Sequence, residues 1–224
     1  MHSMTTYLRR ELRRAADPEK ARPMKAYMRN LQAFHGIPMP ARRAIFQSAR
    51  KKFNMGSFAE YESVVKELWQ GKHREELYLA IDIALHYKPY RIDKAMRLYA
   101  FMLRSADNWD TVDTIAAHLV GELVLSNRKH EALLKQWTHS KNMWLRRSAL
   151  LAHLRHKTRT NTRLLEKTIL TLIDEKDFFI QKAIGWVLRQ YAYTSPKWVK
   201  QFVRKNSAQL SHLAKREAMK HFKT

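Results

Sequence analysis

The stretch Tyr61-Glu62-Ser63-Val64-Val65-Lys66-Glu67-Leu68-Trp69 decides the fold class, because its apolar residues recur at intervals of three and four positions. Residues at this spacing lie on one face of an α-helix, whereas a half-buried β-strand would alternate apolar and polar residues. Similar stripes occur within residues 77–85 and 144–152. The pattern predicts amphipathic helices that each bury one face.

The same pattern runs through the whole chain. Its 224 residues contain only five Gly and six Pro, so breaks between helices are few. The spacing predicts about thirteen helices with short polar links, among them single helices over 19–35, 109–126 and 177–193. Many medium-length helices with short links are typical of stacked antiparallel pairs. We therefore predict an all-α fold, an α-solenoid of divergent HEAT-like pairs with a concave surface, in which residues 1–224 form a single domain.

The chain is strongly basic. Its 43 Lys and Arg against 20 Asp and Glu give a formal net charge of +23 and a pI near 10.4. After Asp177, Glu217 is the only acidic residue against ten basic ones. This charge favours a polyanionic partner, nucleic acid first, because cations that neutralise phosphates release condensed counterions. A basic surface kept for solubility is the alternative.

Several classes of chemistry find no support in the sequence. There is no Cys, and hence no disulfide, thiolate nucleophile or Cys-based zinc site. No Gly-rich phosphate loop, G-x-S-x-G elbow or H-E-x-x-H pair occurs. His153 and His156 could reach one metal from adjacent turns, but Arg155, Lys157 and Arg159 surround them with positive charge. We expect no metal and no cofactor.

Membrane association is also not predicted. No run approaches the ~18 to 20 consecutive apolar residues of a spanning helix, and residues 1–14 lack the apolar core of a signal peptide. We expect a cytoplasmic protein without a membrane partner.

The segment Asn108-Trp109-Asp110-Thr111-Val112-Asp113 places an indole and a carboxylate four residues apart at the start of a predicted helix. Trp109 and Asp113 should therefore project from the same face. One interpretation is an ordinary first-turn acid, which is favourable at a helix N-terminus. The other is that an isolated acid on a very basic surface has a functional role. The spacing by itself leaves both open.

Three further motifs follow a recognisable order: Pro23-Met24-Lys25-Ala26-Tyr27-Met28-Arg29-Asn30, Trp144-Leu145-Arg146-Arg147, and the stretch F-F-I-Q-K-A-I-G-W-V-L-R at 178–189. With the W-D-x-V-D stretch at 109–113, they closely resemble the AlkD-like DNA alkylation repair family. The resemblance extends from about residue 17 to residue 221. The stretches at 109–113 and 178–189 are its most specific parts.

The resemblance implies a HEAT-like DNA glycosylase with a positively charged, concave DNA-binding face. Its substrate would be duplex DNA with cationic N3- or N7-alkylated purines, such as 3-methyladenine and 7-methylguanine. Hydrolysis of the N-glycosidic bond would leave an abasic site, as in base excision repair. We expect a monofunctional, monomeric enzyme of bacterial type that is nucleoid-associated when bound to DNA. The alternative is a non-catalytic HEAT-repeat module that binds nucleic acid without releasing a base.

The resemblance also assigns roles to individual residues. Asp113 would be the catalytic carboxylate, with Trp109 and Trp186 as the walls of an aromatic cleft. Arg147 would contact DNA near that cleft, and Tyr27 would also lie near the DNA.

Other residues are less well defined by the sequence. Arg146 is grouped with the DNA contacts, although it has no clear family role. Lys182 and Arg189 would either touch backbone phosphates or simply be solvated. Five more aromatic residues are predicted to pack in the interior: Trp69, Trp137, Phe178, Phe179 and Trp198.

Overall fold

The computed structural model describes residues 2–222 and is all-α, as predicted. Within this part of the chain, the only extended pairing is one isolated bridge between Ala33 and His73. Two compact units form, residues 1–102 and residues 103–224. The single domain and the solenoid arrangement stay predictions.

The first unit is built from helices whose buried faces match the apolar stripes. It comprises α1 (Ser3–Arg14), α2 (Pro18–Tyr27), α3 (Met39–Lys52), α4 (Phe58–Trp69), α5 (Arg74–His86) and most of α6 (Ala95–Ser105). Helix α4 packs against α5, and α1 contacts both α3 and α4. Tyr61, Val64 and Leu68 on α4 are fully buried. The stripe that predicts this helix is therefore its core face.

The end of α2 differs from the predicted helix over 19–35. The helix stops at Tyr27, and Arg29 and Asn30 adopt left-handed backbone conformations with φ of 58° and 59°. The following loop is held by Glu75, whose carboxylate accepts hydrogen bonds from the N–H groups of residues 35, 36 and 37 at 2.9–3.1 Å. A long-range carboxylate thus stabilises a loop where local spacing predicts helix.

The second unit contains the remaining helices. They are α7 (Trp109–Thr114), a π-helical segment (Ile115–Val120), α8 (Gly121–Ser126), α9 (Glu131–Trp137), α10 (Met143–Leu151), α11 (Thr162–Leu172), α12 (Phe178–Ala192), α13 (Pro196–Lys205) and α14 (His212–Ala218). Helix α12 contacts α10, α13 and α14. Its residues Ile180, Ile184 and Leu188 lie in the hydrophobic core. This central position matters because α12 also carries Trp186.

The helical run over 109–126 is continuous but changes its winding just after Asp113. In the π segment, the N–H of Gly121 donates to the carbonyl of Ala116, five residues earlier. A Cβ on Gly121 would lie 2.5 Å from the carbonyl oxygen of Ala152, so only glycine allows this close approach. The sequence predicts the helix, and the π segment is an added feature of a kind often found at functional sites.

Two histidines are buried after α10. His156 places Nε2 2.9 Å from the carbonyl oxygen of Gly121, and His153 is 3% exposed with no hydrogen-bond partner for its ring nitrogens among the described residues. Burial lowers the pKa of His153 to about 3 and that of His156 to about 4. Both rings are therefore neutral in the folded protein near pH 7.

Because the pKa values of these histidines are lowered by burial, we predict that acid destabilises the protein. An unfolded histidine binds a proton near pH 6.5, whereas folded His153 does not until about pH 3, so the unfolded state gains protons first as pH falls. The free energy of unfolding should fall by roughly 2 kcal/mol for His153 between pH 7.5 and 5. Urea denaturation at the two pH values measures it. His153→Leu should remove the contribution of His153 to this pH dependence, whereas exposed His139→Gln should leave it unchanged. Equal pH dependence in the wild type and both variants would contradict the role of His153.

Candidate active site

Trp109 and Asp113 both lie on α7, the first complete helix of the second unit. The side chain of Asn108 accepts a 2.9 Å hydrogen bond from the N–H of Trp109 and so caps α7. One helical turn later, Asp113 faces the same side as Trp109, as the four-residue spacing predicts. Both side chains are partly buried and line one cleft with Trp186 of α12.

This cleft, here called the aromatic cleft, has a volume of about 360 Å³. Its lining consists of four aromatic residues, an ion pair and two further cations: Trp109, Phe178, Phe179 and Trp186; Asp113 and Arg147; and Lys182 and Arg189. Six of the eight predicted site residues therefore come together here. Arg146 does not line the cleft, and Tyr27 belongs to the first unit.

Asp113 is held by Arg147 in a bidentate ion pair. Nε of Arg147 lies 2.7 Å from Oδ1 of Asp113, and Nη2 lies 2.8 Å from Oδ2. The side chains are only 4% and 16% exposed for Arg147 and Asp113, respectively. The planar guanidinium fork matches a carboxylate, so this geometry fixes the direction of both oxygens.

Burial and the ion pair have opposite effects on the charge of Asp113. Burial disfavours the anion and raises the pKa of Asp113 above its ordinary value, while the hydrogen bonds and the positive charge of Arg147 act to lower it. Nearby Asp110 adds a small contribution that raises the pKa. The charged form of this partly desolvated carboxylate therefore depends on Arg147.

Arg147 also connects the site to α12. Its Nη1 donates to the carbonyl oxygen of Phe179, and its guanidinium carbon lies 5.8 Å from the centroid of the Phe179 ring. The same residue therefore contacts α7 through Asp113 and α12 through Phe179. Its charge is already satisfied inside the protein, so its predicted DNA contact stays a prediction.

Lys182 and Arg189 share a different carboxylate. Nζ of Lys182 lies 2.8 Å from Oε1 of Glu217, and Nη1 of Arg189 lies 2.7 Å from Oε2. Lys220 makes a third contact at 2.6 Å. Although burial opposes ionisation, hydrogen bonds and charges from Lys182 and Lys220 lower the pKa of Glu217 to about 2. The last acid of the sequence thus offsets part of the positive charge beside the aromatic cleft.

Gly185 allows Glu217 to reach this position. It lies between Lys182 and Arg189 on one face of α12, because the three residues are spaced by three and four positions. A Cβ on Gly185 would lie 2.5 Å from Cβ of Glu217 and 2.8 Å from the carbonyl oxygen of Ala214. The glycine therefore sets the close packing of α12 on α14.

Other predicted residues have distinct positions. Arg146 donates to both oxygens of Glu175 at 2.6 and 3.0 Å and to the carbonyl of Ser140 at 2.7 Å. Tyr27, the last residue of α2, is 73% exposed. Their predicted roles at DNA stay predictions.

The prediction that Phe178 belongs to the core is wrong. This residue is 57% exposed and lines the aromatic cleft, because it is the first residue of α12 and Asp177 caps the helix beside it. Phe179 is partly buried, with its ring centroid 5.1 Å from that of Trp144. Helical spacing could have separated these rings, because Phe178 is followed on its face by Gln181 and Lys182, whereas Phe179 is followed four residues later by Ala183.

A possible metal cluster in the first unit is better explained as a helix cap. Donor atoms of His35, His73 and Glu76 lie within 4.8 Å of one another. The two imidazoles stack with planes 17° apart, so their in-plane lone pairs do not converge. Glu76 already binds Arg9 and accepts a hydrogen bond from the N–H of Lys72. The aromatic cleft offers one carboxylate and no histidine.

Comparisons with known proteins place the chain among helical DNA repair proteins. A solved structure described as a predicted DNA alkylation repair enzyme from Enterococcus faecalis is 33% identical, with a TM-score of 0.83 over 92% of this chain and 96% of that one. Residues 8–222 match the model of the DNA alkylation repair enzyme family, and the chain belongs to this family. No curated protein matches significantly. None of the described helices is long and apolar enough to span a membrane.

The Asp113–Arg147 pair should be strongly coupled in stability. Arg147→Met leaves a buried carboxylate without its partner and should lower the free energy of unfolding by about 3 kcal/mol. The double variant Asp113→Asn/Arg147→Met should recover part of that loss. A double-mutant cycle by urea denaturation measures the coupling between the two residues. The exposed pair Glu19 and Arg22 is the control and should show no measurable coupling. Additive effects at Asp113 and Arg147 would show that the pair is not an energetic unit.

The close approach at Gly185 gives a second prediction. Gly185→Ala should lower the free energy of unfolding by roughly 1 to 3 kcal/mol, because the new methyl group meets backbone and Cβ atoms of α14. Gly56→Ala is the matched control, since its nearest neighbour is the flexible Glu60 carboxylate at 3.4 Å. Thermal and urea denaturation of the two variants should differ clearly; equal stability would mean that α14 can move away.

Proposed function

We propose that this DNA alkylation repair protein is a monofunctional DNA glycosylase that excises N3- and N7-alkylated purines from duplex DNA. The observation that carries the proposal is the partly buried Asp113 carboxylate, oriented by Arg147 in a cleft that Trp109 and Trp186 also line. The family membership supports a repair role, and the resemblance in sequence supports the reaction.

The number of carboxylates fits a substrate that is already charged. Hydrolysis of an ordinary glycosidic bond uses one carboxylic acid to protonate the leaving group and a second carboxylate opposite it. Among the described residues that line the aromatic cleft, Asp113 is the only carboxylate. An N3- or N7-alkylated purine carries a positive charge and leaves as a neutral base. It therefore needs no acid.

Asp113 would act on the sugar. As the bond to the base breaks, positive charge develops on the sugar ring, and a fixed anion in a partly water-excluded site stabilises it more than solvent would. Arg147 occupies one lone-pair direction on each oxygen. A carboxylate has about four such directions, so those left on Asp113 can accept a hydrogen bond from the attacking water.

The aromatic rings would act on the same charge. Trp109, Phe178 and Trp186 border the cleft that Asp113 lines. The face of an indole or phenyl ring is electron-rich and attracts a cation within about 6 Å. A cationic base or sugar would therefore find favourable surfaces on several sides.

The lysines near Asp113 bear on whether water or an amine is the nucleophile. Glycosylases that also cleave the strand need a free amine to form a Schiff base. Among the described residues, Lys182 is the one lysine that lines the aromatic cleft, and its ammonium group is bound by Glu217. Lys157 lines the second cleft that Asp113 borders, so the choice of water over an amine rests on the resemblance in sequence. On that basis we infer hydrolysis by water, which leaves an abasic site.

A non-catalytic DNA-binding role is the second candidate, and one observation favours it. A bidentate ion pair such as Asp113 with Arg147 also occurs as a purely structural contact. In that case the protein would bind DNA in a salt-dependent manner and release no base.

Base release under single-turnover conditions separates these functions. On a duplex with one 7-methylguanine, wild-type protein should release the base, and Asp113→Asn should be slower by roughly 100- to 1000-fold. Asp110→Asn removes the same charge from the same helix and should retain most activity. Thermal denaturation checks that each variant is folded. No release by the wild type from either 7-methylguanine or 3-methyladenine DNA would leave the binding-only function.

A further inference from the structure

A second cleft adjoins the aromatic cleft. Its volume is about 330 Å³, and Asp113 and Trp186 line both clefts. Its polar lining is completed by Thr114, His118, Arg155, Lys157 and Gln190. We call it the basic cleft. A nucleic-acid strand whose reactive sugar faces Asp113 in one cleft can continue into the other past these shared walls.

The cations of the two clefts differ in their partners. In the aromatic cleft, Arg147 is bound by Asp113, and Lys182 and Arg189 are bound by Glu217. Arg155 and Lys157 are exposed, and no carboxylate of the described residues lies within 4.0 Å of either. Arg155 and Lys157 therefore face a ligand without a competing carboxylate, whereas each cation of the aromatic cleft already contacts one.

The segment that carries these two cations is anchored to the helical run that carries Asp113. His156 lies between them, is 2% exposed, and places Nε2 2.9 Å from the carbonyl oxygen of Gly121 in α8. Exposed Arg155 and Lys157 thus flank a buried contact. Their backbone positions are fixed relative to Asp113 through residues of the same unit.

The backbone at Lys157 is strained. Its φ is 49°, a left-handed conformation that non-glycine residues rarely adopt. Hydrogen bonds surround this residue. The hydroxyl Oγ1 of Thr160 donates to the carbonyl oxygen of Lys157 at 2.7 Å, and the N–H of Arg159 donates to the carbonyl oxygen of His156 at 2.9 Å. Such strain persists only where neighbouring contacts fix it, and it is concentrated at ligand sites.

We propose that the basic cleft binds a backbone phosphate of the damaged strand, adjacent to the sugar that faces Asp113. Arg155 contacts the phosphate through its planar guanidinium, and Lys157 acts as a point charge. The hydroxyl of Thr114 and the amide of Gln190 supply further donors. This inference rests on the proposed function, because it takes Asp113 as the position of the reactive sugar.

A scan with neutral phosphates tests it. The probe is a duplex with a stable tetrahydrofuran abasic analogue, so that binding is measured without base release, and with one methylphosphonate moved along the strand. At one position beside the analogue, wild-type protein should lose affinity roughly tenfold. The double variant Arg155→Gln/Lys157→Gln should show no further loss of affinity when that phosphate is neutral. On the unmodified duplex, the slope of its log affinity against log salt should be smaller than that of the wild type by about 0.9, the value for one lost phosphate contact.

Two controls accompany the double variant. Arg163→Gln/Lys176→Gln removes the same charge from exposed residues outside both clefts and should keep the wild-type pattern. Arg155→Lys/Lys157→Arg keeps the charge and should lose little affinity. If the Gln double variant stays as sensitive as wild type at every position, or if the control variant loses as much affinity, the proposal is overturned.

Base release measured in parallel separates the two proposals. One outcome is a methylphosphonate position whose effect on affinity depends on Arg155 and Lys157, together with no base release. That result would contradict the glycosylase function and leave the basic cleft as a DNA-binding site. Base release without any position that depends on Arg155 and Lys157 would contradict only the role of the basic cleft.

Discussion

The ion pair between Asp113 and Arg147 is the contact on which the site depends. Two hydrogen bonds at 2.7 and 2.8 Å orient the carboxylate, and a third from Arg147 to the Phe179 carbonyl connects it to α12, which carries Trp186. Burying two charges is costly unless both are well paired. The contacts that stabilise this ion pair therefore also determine where the Asp113 carboxylate points.

Charge pairing around the aromatic cleft affects the electrostatic environment of its carboxylate. In a chain with a formal charge of +23, unpaired cations beside the cleft would repel a cationic base. Glu217 places one negative charge among Lys182, Arg189 and Lys220 and so reduces that repulsion. The unpaired Arg155 and Lys157 face the neighbouring basic cleft instead. This separation suits a substrate whose base is positive and whose backbone is negative.

Local spacing predicts the parts of this structure that are local. It identifies the buried face of α4 and puts Trp109 and Asp113 on one side of α7, because helical periodicity fixes both. It does not predict contacts between distant residues, such as Glu75 with the loop over 35–37 or Glu217 with Lys182. Helical spacing does put exposed Phe178 on the face of Gln181 and Lys182, a signal that contradicts its predicted place in the core. The roles of Asp113, Trp186 and Arg147 came from family resemblance, and their convergence in space required the fold.

The most direct test of a single carboxylate acting on a cationic substrate compares two lesions. Single-turnover base release should be measured on matched duplexes with 7-methylguanine, which is cationic, and hypoxanthine, which is neutral and needs protonation to leave. We predict release of 7-methylguanine and no detectable release of hypoxanthine, because the described residues that line the aromatic cleft include no second carboxylate to act as an acid. Comparable rates on both duplexes would contradict this mechanism.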